Sequence, residues 1–185
     1  MVNFIINQFW NSCRYNFSVK IEKNQPKEIG ELLRSKGLWL ATAESCTGGL
    51  LGHLITTTAG SSDYYLGGFI TYSNETKERW LDVAHSTLEQ HGAVSRETVV
   101  EMARGVRSAF GEKIPSEKIV GISISGIAGP GGGSPEKPVG TVWISVSSAD
   151  GEEAVNFHFQ GDRGEVKNRS AEKALELLIA YLLQK

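Results

Sequence analysis

Between residues 26 and 160 the sequence switches repeatedly between two periods, and that alternation restricts the possible folds more than any single residue does. Short apolar runs stand at Leu38 to Ala43, Tyr65 to Tyr72 and Ile119 to Ser125, each of strand length. Between them, apolar residues recur at helical spacing: Ile29, Leu32 and Leu33; Leu50, Leu51, Leu54 and Ile55; Val99, Ala103, Val106 and Phe110. Pro26 suits the start of the first of these helices and Gly37 its stop, while Ser95 caps the last and Gly111 closes it. Strand–helix–strand order predicts parallel pairing, because a parallel connection must cross over the sheet. Beyond Ser125 the pattern changes. Val139 to Ser147 and Ala154 to Phe159 flank Asp150-Gly151, a turn pair that joins antiparallel strands. Asp162-Arg163-Gly164-Glu165 then spells a capping box before a final helix with Ala171, Ala174, Leu175, Leu178 and Leu182 facing inward. The expected fold is α/β, a three-layer α/β/α sandwich on a mixed, mostly parallel sheet of about five strands.

A chain of 185 residues holds one domain with a real core. That domain is expected over 26–185, with 1–25 as an amino-terminal extension in which Tyr15, Phe17, Val19 and Ile21 alternate with polar residues as a half-buried strand would. Basic residues number 19 and acidic ones 21, a balance that points to neither nucleic acid nor an anionic membrane as partner. Two cysteines and four scattered histidines form no disulfide framework and no metal-ligand spacing. No apolar run approaches the ~20 residues of a membrane helix, and the amino terminus lacks a basic n-region. A cytoplasmic protein acting on a small molecule is the expectation, with a homodimer as the assembly because two-fold dimers are the commonest.

Ligands of open α/β sheets bind at the carboxyl ends of the parallel strands. Three unusual stretches fall there: Glu44 to Gly49, Ser73 to Lys77, and Ser125 to Gly133. A hydroxyl at a strand-to-helix turn is exposed for attack, and Gly48 and Gly49 let backbone N–H groups approach an oxyanion. The residues alone leave two readings of Ser45 open, nucleophile or helix cap. No histidine stands in these stretches, so the base falls to Lys77, one turn into a helix, provided that burial lowers its pKa. Taken alone, Lys77 also reads as a solvated helix lysine. Tyr72 is placed to relay a proton or orient a substrate. The glycine loop, including Gly126 and Gly129, is neither a Walker A loop nor a dinucleotide fingerprint, yet its N–H groups suit an anion. Arg163 and Arg169, near the start of the last helix, are candidate phosphate anchors. Ser134-Pro135-Glu136-Lys137 spells a Ser-x-x-Lys motif, but the prolines around it exclude the helix that this motif requires.

These residues carry a family resemblance. Ala41 to Gly49, Thr71-Tyr72-Ser73-Asn74, Ser125 to Gly132, Pro138 to Val142 and Gly161-Asp162-Arg163 resemble, in order and spacing, the CinA carboxy-terminal domain family. The resemblance implies deamidation of nicotinamide mononucleotide to nicotinic acid mononucleotide and ammonia, without metal or organic cofactor. It implies Ser45 as nucleophile and Lys77 as base, supported by Tyr72 and by Ser125, where many relatives have threonine. A nucleotide-binding regulatory module without turnover is the alternative; a third reading is an interaction protein using its aromatic amino-terminal segment.

Overall fold

The computed structural model describes residues 24–111 and 114–184; the strand expected at Tyr15 to Ile21 lies outside them. The first helix, α1 (Gln25–Lys36), has its proline in the first turn, and Gly37 closes it in the left-handed conformation at φ 63°. Then come β1 (Trp39–Glu44), α2 (Leu50–Thr56), β2 (Tyr65–Ile70), α3 (Asn74–Leu81) and α4 (His85–His91). The chain continues through α5 (Arg96–Ala109), β3 (Ile119–Gly126), β4 (Thr141–Ser148), β5 (Gly151–His158) and α6 (Arg163–Leu183).

The strands form one sheet in the order β2-β1-β3-β4-β5. The first three run parallel, and β4 and β5 follow β3 antiparallel. The two faces of the sheet differ in side-chain size. On one, Leu40, Val120, Ile122, Ile124, Val142 and Ile144 pack beneath α1, α2 and α6. On the other, β1 offers Ala41 and Ala43, and β3 offers Gly121 and Ser123 to α5. A Cβ on Gly121 would lie 2.2 Å from the Ala103 carbonyl oxygen, and Ser123 Oγ donates to the Val99 carbonyl at 2.5 Å. Small side chains therefore let α5 sit directly on the central strands, and it buries Val99, Met102, Ala103 and Val106 there. Full burial of each larger one stabilises by roughly 1.5–3 kcal/mol relative to exposure. The expected three-layer sandwich is the observed architecture.

Two elements depart from the sequence expectation. The helix α4 has little apolar periodicity, with Leu88 as its one buried residue. Its start is held from outside by Glu101, which accepts from Ala84 N at 2.9 Å and Thr87 Oγ1 at 2.7 Å. The hairpin turn also lies one residue earlier than Asp150-Gly151. Ser148 pairs with Gly151, so Ala149 and Asp150 form the loop and the positive φ, 136°, falls on Gly151. Among the described residues no helix is long and apolar enough to cross a membrane.

Candidate active site

Because β1, β2 and β3 are parallel, Glu44, Ile70 and Gly126 end them at one edge of the sheet. The turn after β1 is organised by Glu44, whose side chain is 2% exposed with the rest of its residue. Its carboxylate accepts from the N–H groups of Gly49 (2.9 Å), Leu51 (3.1 Å) and Gly52 (2.8 Å). An acid inside the fold thus satisfies the first turn of α2, whose N-cap, Gly49, has no side chain to do so. Gly48 and Gly49 take φ of 65° and 99°, values that a side chain disfavours, and these fold the turn back. Ser45 N extends the ladder to the Ile124 carbonyl at 2.9 Å, leaving the Ser45 hydroxyl at the strand end.

Lys77 meets it there. Ser73 caps α3 by accepting from Thr76 N at 3.2 Å, and Lys77 follows one turn into the helix, 1% exposed. Its Nζ donates to the Thr71 carbonyl at 2.7 Å and to Ser45 Oγ at 3.2 Å, and no carboxylate among the described residues lies within 4.0 Å. Burial with no compensating anion lowers its pKa from 10.5 to about 8. At pH 7 that leaves about one lysine in ten neutral, some 300-fold more than the unperturbed group would provide. Cys46, next to the serine, is driven the other way: burial pushes its thiol up to about 12, so it stays protonated at neutral pH.

A cavity of about 270 Å³ opens beside the pair, walled by Ser45, Lys77, Ser125, Gly126, Gly129 and Arg163 among others. Ser125 Oγ donates to the Ala93 carbonyl at 2.7 Å, joining β3 to the loop before α5. The glycine loop is pinned at its base by Ile127 N to the Thr141 carbonyl (2.9 Å) and Gly140 N to the Ile127 carbonyl (2.8 Å). Arg163 begins α6, behind a complete capping box between Asp162 and Glu165. Its guanidinium spans the mouth of the cavity, donating to the Gly129 carbonyl at 2.6 Å and to Tyr72 Oη at 2.7 Å.

The fold therefore brings together Ser45, Lys77, Tyr72, Ser125, Gly126, Gly129 and Arg163 from across the sequence. Two expectations change. Gly49 N–H is committed to Glu44 and Gly48 N–H donates to the Ser45 carbonyl at 3.1 Å, so neither is available to an oxyanion. Both glycines wall a second cavity, which shares no lining residue with the first. Arg169 lines neither cavity. Three features went unread in the sequence: the buried acid Glu44, the Thr71 carbonyl and the Ala93 carbonyl. The first had a signal, a charged residue ending an apolar strand; a backbone carbonyl has none. Ser134 to Lys137 form a loop, in which Ser134 Oγ bonds Glu136 rather than Lys137 Nζ. The described residues contain no group of three or more His, Cys, Asp or Glu side chains placed to hold a metal.

Fold and site together define a class, α/β proteins with a buried hydroxyl–amine pair at the carboxyl edge of parallel strands. The chain belongs to the CinA C-terminal domain family, whose profile matches residues 22–182. It is 50% identical over 158 residues to the nicotinamide-nucleotide amidohydrolase PncC of Enterobacter agglomerans, covering 85% of this chain and 93% of that protein. It is 46% identical to a putative competence-damage inducible protein of Halothermothrix orenii, over 87% of this chain but only 38% of that longer protein. A crystal structure of a competence-damaged protein (CinA) superfamily member from Klebsiella pneumoniae superposes with a TM-score of 0.81 at 33% identity, covering 88% of this chain and 98% of that one.

Proposed function

We propose that the chain is a nicotinamide-nucleotide amidohydrolase in which Ser45 is the nucleophile and Lys77 its base. It converts nicotinamide mononucleotide and water to nicotinic acid mononucleotide and ammonia, a reading supported by the likeness to the Enterobacter agglomerans protein named a nicotinamide-nucleotide amidohydrolase. The observation that carries the assignment of roles is the 3.2 Å contact between Ser45 Oγ and a buried lysine without an acidic partner. In the neutral form of Lys77 the hydrogen bond reverses, and the serine hydroxyl donates to the amine.

Ser45 Oγ attacks the carboxamide carbon while its proton passes to Lys77 Nζ. With Gly48 and Gly49 committed, the oxyanion falls to the N–H groups of Cys46 and Thr47, which no described carbonyl accepts. The tetrahedral intermediate collapses as Lys77 returns the proton to the leaving nitrogen, releasing ammonia and an ester on Ser45. Water then attacks the ester carbonyl and gives its proton to Lys77, which restores the serine hydroxyl and frees the carboxylic acid. Thr71 contributes by holding the amine against the serine, and Ser125 by fixing the Ala93 loop at the cavity wall. Arg163 and Tyr72 shape the mouth where the rest of the nucleotide lies. Apart from the attacking water, every step uses groups of the chain itself. We place the reaction in the cytoplasm and assign a homodimeric assembly, on the frequency of two-fold dimers.

Ammonia release from nicotinamide mononucleotide by the purified chain tests the activity. Acid-quenched mass spectrometry during turnover tests the ester, which is expected on the peptide containing Ser45. Nucleotide binding without ammonia would instead assign a regulatory module.

A further inference from the structure

We propose that the second cavity, lined by the later residues of the nucleophile turn, is an anion subsite that takes the phosphoryl group of the substrate, with Lys167 as its charged anchor. The cavity measures about 390 Å³ and is walled by Thr47, Gly48, His53, Gly164, Lys167 and Asn168 among others, with no acidic residue in the wall. Lys167 is half-buried on α6, and a Cβ placed on Gly48 would lie 3.7 Å from its Nζ, which puts the amine beside the turn backbone. Among the described residues no carboxylate stands within 4.0 Å of that amine. The nearby acids are already engaged: Glu44 accepts three N–H groups beneath the turn, and Asp162 and Glu165 each accept a backbone N–H of the other. The cation therefore has a cavity in front of it and no anion.

The two cavities share their walls in sequence order. Ser45 and Cys46 face the reaction cavity and Thr47 and Gly48 the second; on α6, Arg163 faces the first while Gly164 and Lys167 face the second. The carboxamide and the phosphate are opposite ends of nicotinamide mononucleotide. A molecule lying across the turn places one end in each cavity, and fixing the remote end orients the carboxamide at Ser45. Arg163 spends two of its five donors on Gly129 and Tyr72, which holds its guanidinium at the first cavity, whereas Lys167 lines the second.

The inference rests on the deamidase reading for its substrate, and its test separates the two. Ammonia release is measured on nicotinamide mononucleotide and on the riboside, which lacks the phosphate, for the unaltered chain, Lys167→Met and Arg163→Ala. In parallel, the rise in Tm caused by inorganic phosphate is measured on the same proteins. Lys167→Met is expected to lower kcat/KM for the mononucleotide roughly ten- to a hundred-fold, to lower that for the riboside far less, and to abolish the phosphate-induced rise in Tm. Equal losses on both substrates for Lys167→Met, or a phosphate-induced rise that survives it, overturns the subsite. So does a collapse of the mononucleotide preference in Arg163→Ala alone, which assigns the phosphate to the arginine. If the unaltered chain releases ammonia from neither substrate, the deamidase reading fails, while the phosphate measurement still decides whether Lys167 binds an anion.

Discussion

Two cations sit inside this protein at opposite ends of the sheet, and the fold treats them in opposite ways. Lys77, at the carboxyl edge of the parallel strands, has two neutral acceptors, the Thr71 carbonyl and the Ser45 hydroxyl. Arg107, on α5 at the other edge, has four: the Ile119, Ser116 and Ser148 carbonyls at 2.8 Å each, and Ser147 Oγ at 3.1 Å. Burial lowers the pKa of both. For an arginine that starts at 12.5 the charge survives at any physiological pH, and its fork of donors ties β3, β4 and the preceding turn together. For the lysine, brought to about 8, the charge becomes optional. Polar saturation produces a structural fastening, and polar starvation produces a group that can surrender its proton.

The contrast breaks most directly at the serine and lysine themselves. Ser45→Ala and Lys77→Arg are each expected to cut kcat by about 10³-fold or more, because nucleophile and base act as a unit and a guanidinium cannot accept the proton. An active Lys77→Arg enzyme would show that position 77 supplies charge alone. Arg107→Ala is the mirror experiment. Removing a charged donor from several acceptors is expected to cost about 1.5–3 kcal/mol of stability, read from denaturant midpoints. The kcat of the folded fraction should be nearly unchanged; a large loss would couple the two ends of the sheet.

A pH profile sharpens the difference further. In the proposed mechanism the neutral form of Lys77 is the active one, so kcat/KM should rise roughly tenfold per pH unit below about 8 and level off above it. Stability should follow the same direction. The folded pKa lies below the unfolded value of ~10.4, so the folded state binds fewer protons between about 8 and ~10.4, and stability rises with pH across that window. Below about 8 the full cost of a buried ammonium is present. The smallest expected effect follows from this: Lys77→Met should abolish turnover yet raise stability at pH 7 by on the order of 1 kcal/mol, lost as pH approaches 10. A destabilised methionine variant would mean that the bond to the Thr71 carbonyl outweighs the burial of charge.

How far the chain could be read in advance depends on the range of the interactions involved. Helices α1, α5 and α6 announce themselves because their caps and apolar stripes lie within a few residues of one another. The capping box from Asp162 to Glu165 formed as spelled. By contrast, α4 depends on Glu101, 14 residues beyond the Thr87 hydroxyl that it holds, and no local pattern encodes that. The hairpin was located correctly, but its turn fell a residue early, since strand register decides which residue takes the positive φ. At the site, Ser45, Lys77 and the glycine loop were legible as unusual residue types at strand ends. The commitment of Gly49 N–H to Glu44 was not, and it takes that donor away from any ligand.

The sequence by itself determined the alternation of periods, and hence a sheet whose parallel strands end together, with a serine, a lysine and a glycine loop at that edge. This was possible because periodicity and capping are short-range properties of residue type. Tertiary structure decided what those groups are chemically. Lys77 titrates near 8 because packing removes its water without supplying a carboxylate, and its partner across 32 residues is a hydroxyl. Arg163 reaches Gly129 and Tyr72, 34 and 91 residues away. Desolvation and the supply of partners are properties of the assembled surroundings, and a sequence position carries no record of either until the chain has folded around it.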